Sequence, residues 1–130
     1  PMSLFFLDFD HNSPNAEHLK AHHESFFLNI REKNPDLPVI MATKTDIPRS
    51  PAAEKSNAAH RAVVRETYEN AVKRGDRNVI FIDGATVFSK ALTLSAPADS
   101  CTVDGCHPND LGFACMAKVF GDAIEKMLGL

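Results

Sequence analysis

Three short apolar runs, separated by two longer polar stretches, constrain the fold of this chain more than any other feature. The runs extend from Leu4 to Asp8, from Pro38 to Thr43 and from Asn78 to Asp83. Each is nearly continuous in apolar residues, which is typical of strands that are covered on both faces. Strands that alternate with helices are usually joined by right-handed crossovers into a parallel sheet. The sequence therefore predicts an α/β fold.

Helix signals fill the stretches between and after these runs. Ser13-Pro14 predicts the cap and first turn of a helix that lasts to about Lys33, and Ser50-Pro51 predicts the start of a second helix that ends at Gly75. A third helix is expected after Pro108, whose fixed φ suits a first helical position. The residues expected to face inward are Leu19, His23, Phe26 and Ile30, then Val64, Tyr68, Ala71 and Val72, then Leu111, Phe113, Met116, Ala117, Phe120, Ile124, Met127 and Leu128. Residues 86–103 are predicted to be a mobile loop near the site.

Composition places the chain among single globular domains. Its 130 residues are 44% hydrophobic, its net charge is -3, and its basic residues are scattered among acids, so a nucleic-acid partner is not expected. No apolar run is long enough for a membrane span, whereas an export signal would be lost if the natural start is missing, so the localisation stays open. Two further interpretations remain open, namely a Cys101–Cys106 bridge and a metal held by His18 and His22, although no third ligand is identifiable.

A carboxylate and an imidazole stand three residues apart in the sequence Asp104-Gly105-Cys106-His107. A neutral imidazole deprotonates a hydroxyl only if its other nitrogen is held in the right tautomer, and a fixed carboxylate does this. If His107 lies at a helix N-terminus, the helix dipole also disfavours its protonated form. The pair is therefore a candidate general base with its orienting acid, and the alternative is that both residues merely brace a loop.

Two segments resemble conserved blocks of the SGNH (GDSL-type) hydrolases, which are esterases and acylhydrolases of flavodoxin-like fold. Residues 104–113 are similar to the C-terminal Asp-x-x-His block of that family, and residues 4–14 to the block that delivers an oxyanion-stabilising Asn. The resemblance assigns that role to Asn12. It differs in one respect, since Asp10-His11-Asn12-Ser13 replaces the usual Gly-x-Asn-Asp, a variant associated with a bacterial branch.

The resemblance covers only the C-terminal part of a family domain. The Gly-Asp-Ser block that carries the nucleophile does not occur in this chain. Residues 1–130 are therefore expected to form a single partial domain, a three-layer α/β/α flavodoxin-like parallel sheet whose N-terminal strands are missing. The implied activity is serine-dependent hydrolysis of a short acyl ester or an acetylated carbohydrate, without a metal or cofactor, and the chain alone is expected to be inactive. If a local serine served instead, the candidates are Ser13, Ser95 and Ser100.

Two other functions are open at the level of sequence. A buried strand that ends in Asp8-Phe9-Asp10 also resembles the start of haloacid-dehalogenase-like phosphatases, in which two such carboxylates act with Mg²⁺ and in which Thr43 and Asp83 would serve the later motifs. The second is a non-catalytic binding or scaffold fragment. In the SGNH fold the strand from Leu4 to Asp8 is interior, so its edge here is expected to bind the missing segment or a second copy.

Overall fold

Three parallel strands form one sheet in the computed structural model, which describes residues 2–91 and 98–130. The strands are β1 (Phe5–Leu7), β2 (Val39–Ala42) and β3 (Val79–Ile82), in that order across the sheet. Their register pairs Phe6 with Ile40 and Ile40 with Ile80. The helices are α1 (Ala16–Lys33), α2 (Pro51–Lys73), α3 (Val87–Ala91) and α4 (Asp110–Leu128). The parallel α/β fold predicted from the three apolar runs is confirmed.

Helices cover both faces of the sheet, and the alternation of side chains along β2 divides the core into two layers. Val39 and Met41 face α1 and α2, whereas Ile40 and Ala42 face α3 and α4. All four residues of β2 are buried because this strand has a neighbour on each side. Within the described residues β1 pairs only with β2, so it forms one edge of the sheet.

The starts of the three long helices test the predicted caps. Ser50 caps α2 as predicted, since its hydroxyl accepts from the amide of Ala53 at 3.1 Å. The predicted cap of α1 is wrong, because Asn15 rather than Ser13 accepts the amide of His18, at 2.8 Å. The sequence Ser13-Pro14 therefore lies in the chain just before the helix.

The start of α4 also differs from the prediction. Asn109 caps this helix by accepting the amide of Gly112 at 3.0 Å, so the first helical residue is Asp110 and not Pro108. Pro108 instead forms an isolated antiparallel bridge with Thr102. A side chain that can accept a helical N–H outweighs the favourable φ of proline at this site.

The residues predicted to face inward on the helices are buried in some cases and exposed in others. On α1 Leu19 and His23 are buried, but Phe27 takes the place expected for Phe26, which is 43% exposed. On α2 Val64 and Ala71 are buried, whereas Val72 is exposed. The α4 side chains Leu111, Phe113 and Leu128 are exposed as well.

The segment of residues 86–103 is more regular than predicted where the structure describes it. Val87–Ala91 forms α3, with Val87 and Phe88 buried, and Ala98–Cys101 forms a 3-10 turn. The prediction of a loop is wrong for these residues because two large apolar side chains can pack under the sheet. Residues 92–97, including Ser95, lie outside the described residues. No helix in the described ranges is both long and apolar enough to cross a membrane.

Candidate active site

Asp104 and His107 contact each other in a turn formed by residues 104–107, called the His107 turn below. Oδ2 of Asp104 lies 2.7 Å from Nδ1 of His107, and Oδ1 accepts the backbone amides of Cys106 and His107, each at 2.8 Å. Gly105 makes the turn possible, since its φ of 95° lies in the left-handed region that favours glycine. The carboxylate therefore fixes both the backbone of the turn and the orientation of the imidazole.

The hydrogen bonds of the pair keep the Asp104 carboxyl ionised and hold the His107 imidazole in place. The backbone amide of His107, the imidazole and then the amide of Cys106 donate to Asp104 and hold the pKa of its carboxyl well below its usual range. Both side chains are open to solvent, with 76% of His107 and 52% of Asp104 exposed. Because Nδ1 faces the carboxylate, Nε2 is the nitrogen left for proton transfer.

His107 does not stand at the N-terminus of α4, contrary to the prediction. Pro108 and the capping residue Asn109 separate it from the first helical residue, Asp110. Since the field of a helix falls off within its first turn, the dipole argument loses most of its force here. The hydrogen bond from the imidazole to Asp104 sets the orientation of the His107 ring.

The third predicted site residue, Asn12, is the last residue of a 3-10 turn that follows β1. This turn, Asp10–Asn12, is called the Asn12 turn below. Nε2 of its middle residue, His11, lies 3.1 Å from Sγ of Cys106 in the His107 turn. The two turns therefore meet at the carboxyl ends of the strands, which is where parallel α/β sheets bind ligands.

A cleft of about 290 Å³ lies between these turns. Its lining residues come from the ends of β1 and β2, from both turns and from the first turns of α4: Asp8, His11, Thr43, Lys44, Thr45, Cys106, His107, Pro108, Phe113 and Met116. The lining residues that follow β2, from Thr43 to Thr45, are polar, whereas Phe113 and Met116 of α4 are apolar. The arrangement can hold a small molecule against His107 while an apolar wall contacts its non-polar part.

Asp10 anchors the Asn12 turn from inside the protein. It is 1% exposed, and its Oδ2 accepts the backbone amide of Lys44 at 3.1 Å, whereas Oδ1 has no partner among the described residues. Burial raises the pKa of this carboxyl, and the hydrogen bond from Lys44 opposes the rise. Partial desolvation and the nearby charge of Asp10 also raise the pKa of Asp8.

The residues proposed for a phosphatase have structural roles. Thr43 accepts the amide of Gly84 at 2.8 Å, and Asp83 caps a short turn while it pairs with Arg65 at 3.5 Å. Within the described ranges no group of three His, Cys, Asp or Glu side chains is placed to hold a metal ion. His18 and His22 stack on each other with ring centroids 4.3 Å apart.

The three cysteines are free thiols, so the predicted alternative of a Cys101–Cys106 bridge is wrong. Sγ of Cys101 lies 4.0 Å from Sγ of Cys115 in the α4 core, and Cys106 contacts His11 instead. Burial and the neighbouring Cys115 raise the pKa of Cys101 to about 11. Cys101 and Cys115 thus behave as small apolar core residues.

The two described serine candidates contact groups other than His107. The hydroxyl of Ser13 lies 3.1 Å from Nδ1 of His18, and Ser100 is an exposed residue whose carbonyl accepts the side chain of Asn109. Neither serine hydrogen-bonds to His107. The contact between His11 and Cys106 was not predicted, because no local spacing relates residues 95 positions apart.

Comparisons with known proteins agree with the fold described above. The chain superposes on a GDSL-like lipase from Bacteroides ovatus with a TM-score of 0.77 and 27% identity, covering 98% of this chain and 36% of that one. It superposes on the salicylyl-acyltransferase SsfX3 from a tetracycline biosynthetic pathway with a TM-score of 0.69 and 22% identity, covering 100% and 39%. The chain thus spans less than two fifths of either structure.

Comparison with curated protein sequences gives no match. The family of GDSL-like lipases and acylhydrolases, however, matches this sequence over residues 2–125, which is nearly its whole length. The phosphatase interpretation gains no support from any of these comparisons. The chain therefore belongs to the GDSL-like lipase/acylhydrolase family.

Proposed function

We propose that the parent protein is a serine-dependent ester hydrolase in which His107 is the general base and Asp104 orients it. The nucleophilic serine comes from polypeptide outside this chain. The observation that carries the proposal is the 2.7 Å contact between Oδ2 of Asp104 and Nδ1 of His107. This contact leaves Nε2 to accept the proton of a serine hydroxyl.

The proposed reaction has two steps. The serine oxygen attacks the ester carbonyl while Nε2 of His107 takes the serine proton, and the same proton then passes to the departing alcohol. Water, deprotonated by His107, next attacks the acyl-enzyme, and the proton on His107 returns to the serine oxygen as the acid leaves. Asp104, which stays ionised, stabilises the imidazolium in both steps. The side-chain amide of Asn12 donates to the oxyanion of each tetrahedral intermediate.

Short acyl esters and acetylated carbohydrates are the proposed substrates. The cleft of about 290 Å³ beside His107 has room for a small acyl group rather than a long chain. The exposed Phe113 and half-buried Met116 give this cleft an apolar side, against which the acyl methyl group would pack. No metal or cofactor takes part in the proposed steps.

The unpaired edge of β1 is proposed to bind the missing part of the sheet or, in its absence, a second copy of the chain. A groove of about 670 Å³ runs along this edge and is mostly apolar, with Phe5, Phe9 and the exposed Phe26 among its lining. An open strand edge beside an apolar groove favours strand addition. Light scattering of the isolated 130-residue chain is expected to show association, and a stable monomer at all concentrations would contradict this part.

Steady-state hydrolysis of p-nitrophenyl acetate by the full-length protein tests the catalytic proposal. His107→Ala is expected to lower kcat by about 1,000-fold or more, because the serine loses its base. Lys118→Ala, on the exposed face of α4, is the matched control and should leave kcat unchanged. If His107→Ala retains most of the activity, His107 is not the general base. If the full-length protein hydrolyses no ester, the non-catalytic scaffold becomes the better interpretation.

A further inference from the structure

One side-chain contact joins the two turns that carry the proposed catalytic groups. Nε2 of His11 lies 3.1 Å from Sγ of Cys106, across 95 positions in sequence. His11 is the immediate neighbour of Asn12, and Cys106 is the immediate neighbour of His107. The contact thus links the backbone beside the proposed oxyanion donor to the backbone beside the proposed base.

Apart from this contact, each turn is attached to the loop that follows β2. Oδ2 of Asp10 accepts the amide of Lys44 at 3.1 Å, which holds the Asn12 turn. The carbonyl of Gly105 accepts the amide of Ile47 at 2.6 Å, which holds the His107 turn. Thr102 and Val103 also hold the His107 turn, but the contact between His11 and Cys106 is a direct side-chain link from one turn to the other.

That separation matters because Asn12 and His107 are proposed to act on the same tetrahedral intermediate. Groups that share a transition state must be held to within about 0.5 Å of their productive positions, and a shift of about 1 Å can cost 100-fold in rate. We infer that His11 is a positioning residue that, through Cys106, fixes the distance between the Asn12 amide and the His107 imidazole. This inference rests on the proposed esterase function.

The contact joins a thiol and an imidazole nitrogen, and the tautomer of His11 decides which of the two donates. Burial and then the charges of Asp46 and Asp104 raise the pKa of the Cys106 thiol, so it keeps its proton near neutral pH. A protonated thiol is a weak donor, and neutral imidazole Nε2 is an acceptor when the proton is on Nδ1. A serine hydroxyl at position 106 can make the same hydrogen bond, whereas a methyl group cannot.

The experiment compares kcat and KM for p-nitrophenyl acetate in variants of the full-length protein. His11→Phe and Cys106→Ala are each expected to lower kcat roughly tenfold because the alignment is lost, and to change KM by a smaller factor, although both side chains also line the cleft. The double variant should be no worse than either single variant, because both remove one contact. Cys106→Ser is expected to retain kcat within about twofold of wild type, and Lys118→Ala serves as the neutral control.

The possible outcomes separate the inference from the proposed function. If wild type is active and His107→Ala is not, but His11→Phe and Cys106→Ala keep full kcat or lower it additively, the positioning role is wrong and the esterase function stands. Loss of activity in Cys106→Ser equal to that in Cys106→Ala also overturns the role. A full-length protein without esterase activity overturns both. Thermal unfolding of each variant shows whether a lower kcat reflects lost structure. If His11→Phe fails to fold, the comparison of kcat between Cys106→Ala and Cys106→Ser tests the positioning role in its place.

Discussion

The two layers of the molecule are not equally closed. On the α1/α2 face the inward side chains Leu19, Phe27, Val64 and Ala71 are at most 1% exposed. Within α4 only Gly112 and Cys115 are buried, and its larger apolar residues remain half-buried, although Val87 and Phe88 of the neighbouring α3 are buried. The half-buried apolar residues of α4 include Met116, Val119, Phe120, Ile124 and Met127.

The difference is one of degree: the α1/α2 layer is closed except beside the free edge of β1, where Phe26 is exposed, whereas α4 leaves most of its apolar face half-buried and forms the more open layer. α4 also reaches the free edge of β1, where Phe6 and Phe120 meet with ring centroids 5.0 Å apart. The proposed base lies in the turn before α4. The proposed site therefore belongs to the open layer, where further polypeptide would contribute both packing and the nucleophile.

The largest expected effect is the difference between the isolated chain and the full-length protein. The 130-residue chain should show no measurable hydrolysis of p-nitrophenyl acetate, since a base without a nucleophile has nothing to activate. Turnover by the isolated chain that is abolished by His107→Ala would show that the open layer already contains a nucleophile, with Ser13, Ser95 and Ser100 as the candidates.

Truncation of one phenylalanine in each layer compares their packing. In the isolated chain Phe27→Ala is expected to lower the free energy of unfolding by about 3–5 kcal/mol, because Phe27 is 1% exposed. Phe120→Ala should cost only about 1–2 kcal/mol, because Phe120 loses less contact area. Urea unfolding measures both values. In the full-length protein the cost of Phe120→Ala should rise toward that of Phe27→Ala, and equal costs in the isolated chain would refute the comparison.

Removal of the proposed oxyanion donor tests whether the site beside the open layer catalyses ester hydrolysis. Asn12→Ala in the full-length protein should lower kcat about 100- to 1,000-fold, with little change in stability because Asn12 is exposed. Lys55→Ala, at an exposed position on α2, is the control and should leave kcat unchanged. A kcat within a fewfold of wild type would remove Asn12 from the mechanism.

The buried histidine of the closed layer predicts a pH dependence of stability. Burial lowers the pKa of His23 to about 4, while its Nδ1 lies 2.9 Å from Oγ1 of Thr67 and its Nε2 is buried without a partner in the described ranges. The unfolded chain binds this proton near pH 6.5, so stability is full above that pH and falls as the pH drops toward 4, by about 3 kcal/mol. Urea unfolding should show a smaller fall in His23→Gln than in wild type. An identical fall in both would assign it to other groups.

Much of the fold follows from the sequence, and the reasons lie in particular elements. The continuous apolar runs were sufficient to identify β2 and β3, and Ser50-Pro51 correctly marked the start of α2. The start of α4 was misplaced, because the choice between Pro108 and Asn109 depends on a bridge from Thr102 that no local pattern encodes. Phe26 and Phe27 were exchanged, since their burial depends on how α1 is rotated against α2.

The site was predictable to a similar extent. The carboxyl-end rule for parallel sheets was enough to expect Asn12 and His107 at one end of the sheet, and the spacing of Asp104 and His107 was enough to expect a contact. The roles of all three residues stay predictions. The contact between His11 and Cys106 was beyond sequence reasoning, because it depends on the conformation of two turns that tertiary packing brings together.

Labelling of the full-length protein with a fluorophosphonate probe, followed by peptide mapping, tests the central claim most directly. The account predicts that wild type is labelled at a serine outside these 130 residues and that His107→Ala is labelled far more slowly, because the serine is no longer activated. A label on Ser13, Ser95 or Ser100, or equal labelling of wild type and His107→Ala, would contradict the claim that His107 serves a nucleophile from another part of the polypeptide.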